Sequence, residues 1–265
     1  MTPLSNSWLT LNTKLSTLNY KMDKIIDVHD LTKQFGSFTA VDHISFYVKR
    51  GEIFGFLGAN GAGKTTAMRM LCGLSFPTSG TGTVAGLDIM HQGEKIKRHI
   101  GYMSQRFSLY NDLTVAENME LYGGIYGLRG KPLKERIEQL LEQLQFSDQR
   151  KTLVGDLPLG WKQKLAFIIA TIHRPEIVFL DEPTGGVDPI TRRQFWDLIR
   201  QTAKEGTTIF VTTHYMDEAM YCDRVTMMVD GQIRALDTPA ALCEQYNANN
   251  MTEVFYQLAR QAQRQ

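Results

Sequence analysis

The sequence predicts an α/β fold: a mainly parallel sheet around a phosphate-binding loop, an antiparallel β region near the N-terminus and an inserted helical subdomain. Three observations predict it. A glycine-rich loop at residues 58–66 stands between a short, mostly apolar run (residues 52–57) and a stretch of good helix formers (residues 67–72). Two further apolar runs, residues 177–180 and 208–212, read as buried parallel strands. Between these strand-rich stretches, residues 106–173 read mainly as helices, with Leu133, Ile137, Leu140, Leu141 and Leu144 at three- and four-residue spacing.

Composition sets the frame. The 265 residues, 43% hydrophobic and 22% charged, have the make-up of a soluble globular protein of one large or two small domains. Lys and Arg number 29 against 28 for Asp and Glu, a net charge of +1, so no overall basic field draws the chain to nucleic acid, though a local patch stays open. No run approaches ~20 consecutive apolar residues, the length that spans a bilayer. Cys72, Cys222 and Cys243 are few, odd in number and far apart, which reads as thiols in a reducing compartment. Residues 1–23 are expected to be a disordered extension: the first 21 are rich in Ser, Thr and Asn, with Lys14 and Lys21 as their only charges. Trp8, Leu11, Leu15 and Leu18 fall at rough helical spacing, and organised sequence begins only after Met22, a second candidate start.

The glycine loop carries the first chemistry. Residues 58–65 match G-x-x-x-x-G-K-[ST], and each fixed position has a reason. Gly58, Gly61 and Gly63 let the backbone approach an anion, so that the amides of the loop, Asn60 and Ala62 among them, converge on phosphate. Lys64 reaches the β- and γ-phosphates, the Thr65 hydroxyl ligates Mg²⁺, and Thr66 offers a second hydroxyl near the α-phosphate.

Upstream, residues 44–48 alternate as a half-buried antiparallel strand, and Phe35-Gly36 marks a turn whose aromatic has the chemistry to stack on an adenine ring. Downstream, residues 77–82 read as a loop into a strand at 83–84, and Gln105 ends the strand candidate at 100–103. Within the helical block, Thr114 and Glu117 fit a capping box, Pro132 fits the first position of a helix, and a third helix is expected from about Trp161 to His173. Asp181 and Glu182 end the apolar run at 177–180. Two carboxylates there need partners, and a metal–phosphate pair supplies them: Asp181 holds Mg²⁺ and Glu182 orients or deprotonates a water. Asp188-Pro189 caps a helix to about Lys204, and His214 directly follows a buried strand, on the edge where such sheets bind ligands. Residues 225–234 read as a hairpin turning at Asp230-Gly231, and Thr238-Pro239 opens a last helix before a short C-terminal helical segment.

Phe35, residues 58–66, Gln105, residues 157–161, Asp181-Glu182, residues 185–188 and His214 stand in an order and spacing that resembles the ATP-binding subunit of an ABC transporter, over roughly residues 24–260. The phrases at residues 52–57 and 213–219 resemble the bacterial exporter branch that handles drugs, polyketides or polysaccharides. The resemblance implies an ABC-type ATPase core with ATP and Mg²⁺. Phe35 is then the adenine-stacking aromatic, Gln105 a further Mg²⁺ ligand, and His214 the sensor of the γ-phosphate. Glu182, His214, Lys64 and Gln105 form the catalytic set, and Gly160 and Asp188 join the nucleotide-binding one. It further implies a cassette over residues 24–260, a tail at 261–265, and a second ATP-binding subunit as partner, alike or different. A separate membrane permease then holds the chain at the cytoplasmic face of the inner membrane.

One motif departs from the pattern. Where the family signature reads Leu-Ser-Gly-Gly-Gln, this chain has Leu157-Pro158-Leu159-Gly160-Trp161. Pro158 has neither the hydroxyl nor the N–H of the serine, leaving Gly160 and the start of the following helix to offer amides. Two other readings are weighed against export. A soluble ABC ATPase of translation or DNA maintenance would carry two cassettes or long coiled-coil insertions. A non-hydrolysing regulator would sit poorly with intact Lys64, Asp181, Glu182 and His214.

Overall fold

The computed structural model describes residues 23–105 and 108–262, so the expectation for residues 1–22 lies outside the described part. Two sheets carry the fold. The first is antiparallel, in the order β2-β1-β4-β5, from β1 (Lys24–Phe35), β2 (Phe38–Lys49), β4 (Ser79–Val84) and β5 (Leu87–Asp88). The second has six strands in the order β10-β9-β3-β8-β7-β6. Here β3 (Ile53–Gly58), β6 (Ile100–Met103), β7 (Ile177–Asp181), β8 (Thr208–Thr213) and β9 (Arg224–Val229) are parallel, while β10 (Gln232–Asp237) closes the edge antiparallel.

The burial patterns explain the difference. Strands β3, β7 and β8 are buried at every residue, as helices on both faces require, whereas β1 and β2 alternate between buried and exposed positions. A cluster of phenylalanines joins the two sheets. Phe46 of β2 packs on Phe54 and Phe56 of β3, and Phe210 of β8 stands 5.3 Å from Phe56 and 5.2 Å from Phe179 of β7, centroid to centroid.

Eight α-helices and three short 3-10 helices complete the described part, the α-helices being α1 (Lys64–Leu71), α2 (Gly93–His99), α3 (Val115–Ile125), α4 (Gly130–Gln143), α5 (Leu159–Thr171), α6 (Pro189–Lys204), α7 (Pro239–Gln245) and α8 (Met251–Ala262). Helices α3, α4 and α5 share their own apolar core, with Val115, Met119, Ile137, Leu140 and Leu165 buried together. The capping box at Thr114 and Glu117 forms in full, and Asp188 caps α6 by accepting from the Ile190 and Thr191 amides. The turn at Asp230-Gly231 has φ values of 48° and 80°, as a type I′ hairpin requires.

Several sequence expectations are corrected. Residues 77–82 are not all loop, because β4 begins at Ser79 and pairs with β1 through Thr32, His29 and Val28. Gly80 serves a close approach: it has φ 90°, and a Cβ there would lie 2.3 Å from the Asp30 carbonyl oxygen. Pro132 is the third residue of α4, not the first, since Arg129 is the cap and any first-turn position tolerates a missing N–H. Helix α5 starts at Leu159 with Pro158 as its cap, two residues before the expected Trp161, and ends at Thr171. Helix α8 runs to Ala262, and residues 263–265 of the tail expected at 261–265 lie outside the described part. Strand β5 and helix α2 had no expectation at all.

Candidate active site

The site forms where parallel strands end. The loop after β3, Asp181 at the end of β7, His214 after β8 and Gln105 after β6 all lie on the carboxyl edge of the six-stranded sheet. The glycine loop is held from two sides. Gly61 and Gly63 have φ of 82° and 98°, and a Cβ on Gly63 would stand 2.2 Å from the Ala40 carbonyl oxygen of β2. The β9–β10 turn adds a bond from the Gly231 amide to the Ala62 carbonyl, 3.2 Å. Asn60 is exposed on the loop, and Thr66 is half-buried on the first turn of α1.

Lys64 is buried, with its ammonium 2.9 Å from the Gly58 carbonyl and 3.0 Å from that of Ala59. Its nearest carboxylate is Glu182 at 3.5 Å. Burial holds the Lys64 ammonium below its ordinary pKa, and the attraction of Glu182 opposes that shift. Asp181 is 3% exposed and accepts from two hydroxyls on one oxygen: Thr65 at 3.1 Å and Thr212 at 2.7 Å.

Glu182 is the junction. Its Oε2 accepts from Gln105 Nε2 at 3.1 Å and lies 3.1 Å from His214 Nδ1. Its backbone sits in the left-handed region at φ 49°, held by bonds from its amide to the Thr212 hydroxyl and carbonyl. Non-glycine strain of this kind gathers where a side chain must be aimed. Glu182, Gln105 and His214 line one cavity of about 310 Å³ together with Gln163 and Tyr215.

The remaining expected residues lie elsewhere. Gly160 and Asp188 line a second cavity of about 310 Å³ between the start of α5 and the start of α6, with Pro158, Leu159 and Thr191. Gly186 borders both cavities. A Cβ on Gly160 would stand 2.5 Å from the Thr191 methyl, so the two helices touch there. Phe35 is at the β1–β2 hairpin tip, 55% exposed, with the Lys33 ammonium 5.1 Å from its ring centroid. Its cross-strand partner Phe38 is 63% exposed, and Ala40, two residues on, packs against the glycine loop.

Sequence reasoning missed several of these side chains. Phe38 repeats the signal used for Phe35, and Thr212 and Thr213 are hydroxyls inside an apolar strand, a pattern that asks for a buried acceptor. Gln163, Glu218 and Arg192 carry no local signal.

A glycine-loop lysine and hydroxyl facing strand-end carboxylates, in a mainly parallel sheet, define a P-loop nucleoside triphosphatase. The comparisons sharpen that class. The family model described as ABC transporter matches residues 41–185, and this chain belongs to that family. It is 47% identical over 242 residues to the probable multidrug ABC transporter ATP-binding protein YbhF of Escherichia coli (strain K12), which covers 89% of this chain and 42% of that protein. The chain thus spans less than half the length of that relative. The Nod factor export ATP-binding protein I of Rhizobium sp. (strain N33) is 37% identical over 236 residues, 88% of this chain and 78% of that one. A solved ATP-binding subunit of an ABC transporter superposes with a TM-score of 0.79 at 25% identity, covering 88% of this chain and 99% of that one.

Proposed function

We propose that this chain is the ATP-binding and hydrolysing motor of an exporter, working as a dimer beneath a separate membrane permease. The observation that carries the reading is the convergence of Gln105, His214 and Lys64 on the Glu182 carboxylate, beside a glycine loop whose Thr65 touches Asp181. A carboxylate only accepts, so the contact from His214 places a proton on Nδ1, and Gln105 presents its amide. Both hold Glu182 in one rotamer, from which it orients or deprotonates an attacking water. The buried ammonium of Lys64, resting on backbone carbonyls, has a triphosphate as its natural counter-charge.

The donor set fits Mg²⁺. Thr65 and Asp181 put hard oxygens side by side, and no group of three or more His, Cys, Asp or Glu side chains suited to a metal occurs among the described residues. One carboxylate, one hydroxyl and substrate phosphates are how Mg²⁺ is usually held. Thr65 and Asp181 would hold it, and when bound it neutralises charge on the phosphates. Gln105, which donates to Glu182 here, is a further candidate ligand.

Gly160 and Asp188 line a cavity that Lys64 does not border, which suits a role toward ATP held by a second cassette. Phe35 and Phe38 are the aromatics available to an adenine. No helix among the described residues is long and apolar enough to cross a membrane. In this reading a separate membrane permease holds the chain at the cytoplasmic face of the inner membrane. The test is Glu182→Gln, which keeps the hydrogen-bonding shape and removes the base. ATP binding should persist while phosphate release falls by about a hundredfold or more. Undiminished hydrolysis would remove Glu182 from this role.

A further inference from the structure

Beside His214 lies an arginine that the chemistry above does not use. Arg192 ends the first turn of α6, four residues after Asp188. Its guanidinium carbon stands 4.1 Å from the centre of the Tyr215 ring, and that ring stands 4.2 Å from the His214 imidazole. His214 in turn touches Glu182. A row of side chains therefore runs from the start of α6 to the Glu182 carboxylate.

A second feature lies under this row. Glu218 is fully buried and accepts from Thr184 at 2.5 Å and from Thr213 at 2.6 Å. Thr184 follows Glu182 by two residues and Thr213 immediately precedes His214, so one carboxylate ties both flanks of the site. The Thr213 hydroxyl also accepts from the Tyr215 amide at 3.0 Å. Arg192 falls just short of joining. Its Nε is 3.7 Å from Glu218 Oε1 and its Nη1 is 3.7 Å from Asp217 Oδ2, and the Nε is buried without a hydrogen-bond partner. A buried guanidinium N–H facing a carboxylate across a gap of this size is stabilised by closing it.

We propose that Arg192 is a positioning residue: by closing on Glu218 it draws the start of α6 onto the loop of Tyr215 and holds His214 in register with Glu182. The proposal rests on the hydrolytic reading above, and its test separates the two.

Phosphate release is measured for the whole chain, for Arg192→Ala, for His214→Ala and for the double variant. Arg192→Ala should lower kcat by about tenfold with the KM for ATP nearly unchanged, the mark of lost alignment and not of lost binding. On the His214→Ala background the same substitution should have little further effect, because Arg192 acts through His214. Arg192→Lys should not restore the rate, since an ammonium lacks the planar face that stacks on Tyr215. Tyr215→Leu should mimic Arg192→Ala. Unaltered kcat in Arg192→Ala, or a further tenfold loss on the His214→Ala background, would overturn the proposal. A readout independent of turnover is the His214 ring resonance, assigned by its loss in His214→Ala. It should move in Arg192→Ala as the Tyr215 ring loses its anchor, and a resonance that stays in place would also overturn the proposal. If the wild-type chain hydrolyses no ATP yet the resonance moves, the catalytic reading fails and the coupling stands.

Discussion

Thr212 offers the sharpest check on how the site is held together. Its hydroxyl donates to Asp181 Oδ1 at 2.7 Å and accepts from the Glu182 amide at 3.1 Å, so one side chain steadies both carboxylate residues. Thr212→Val keeps the shape and opens no cavity. The Glu182 amide retains the Thr212 carbonyl at 3.0 Å, so the chief loss is one of the two hydroxyls on a carboxylate that is 3% exposed. A hydrogen bond to a charged group contributes about 1.5–3 kcal/mol, and the surviving Thr65 hydroxyl keeps the expected destabilisation near 2 kcal/mol. Urea unfolding should report it as a lower midpoint with an unchanged slope. With Asp181 freed on one side, half-saturation by Mg²⁺ in the ATPase assay should rise by about tenfold, the usual effect of losing an outer-shell partner. Thr212→Ser, which keeps the hydroxyl, should recover most of both. The reasoning fails if Thr212→Val unfolds within about 0.5 kcal/mol of the parent and needs no more Mg²⁺.

Two further outcomes concern the helical region. Burial, with the charges of Arg136 and His99, drives the His173 imidazole from 6.5 down to about 4, against the carbonyl of Ile100 that accepts from its Nε2, while the ring stacks on Tyr126. The unfolded chain takes up this proton near 6.5 and the folded chain only near 4, so the stability is whole above that window and falls as pH drops through it. Discounted for partial exposure, the loss is about 1–2 kcal/mol, and it should disappear from the acid arm of His173→Phe in unfolding curves taken from pH 7 to pH 4. An unchanged acid arm would refute it. Pro158→Ser should raise stability by up to about 1 kcal/mol, because serine caps α5 with a side-chain oxygen where Pro158 has none. ATPase activity should hold or rise, and a collapse in turnover with the fold intact would overturn that expectation.

The features that could be read from the sequence are local ones. The glycine loop, the capping residues at Thr114 and Asp188, the Asp230-Gly231 turn and the continuous apolar strands each announce themselves within a few residues, because dihedral preference and burial act at that range. The same local logic erred where a distant partner decided the outcome. Ser79 to Gly82 read as part of a loop, yet they pair with β1, and Pro158 is a helix cap because α5 starts two residues before the expected Trp161.

The amino-acid sequence by itself determined the phosphate-binding loop, the alternation of strand and helix, and the candidates Lys64, Thr65, Asp181, Glu182, Gln105 and His214. Tertiary structure alone decided how they are aimed. Thr212 between the Asp181 carboxylate and the Glu182 amide, Glu218 between Thr184 and Thr213, Gly63 against Ala40, and Arg192 over Tyr215 join residues separated by up to 34 positions. Such pairs follow from which strands end side by side on one edge of a sheet, and no periodicity along the chain encodes that adjacency.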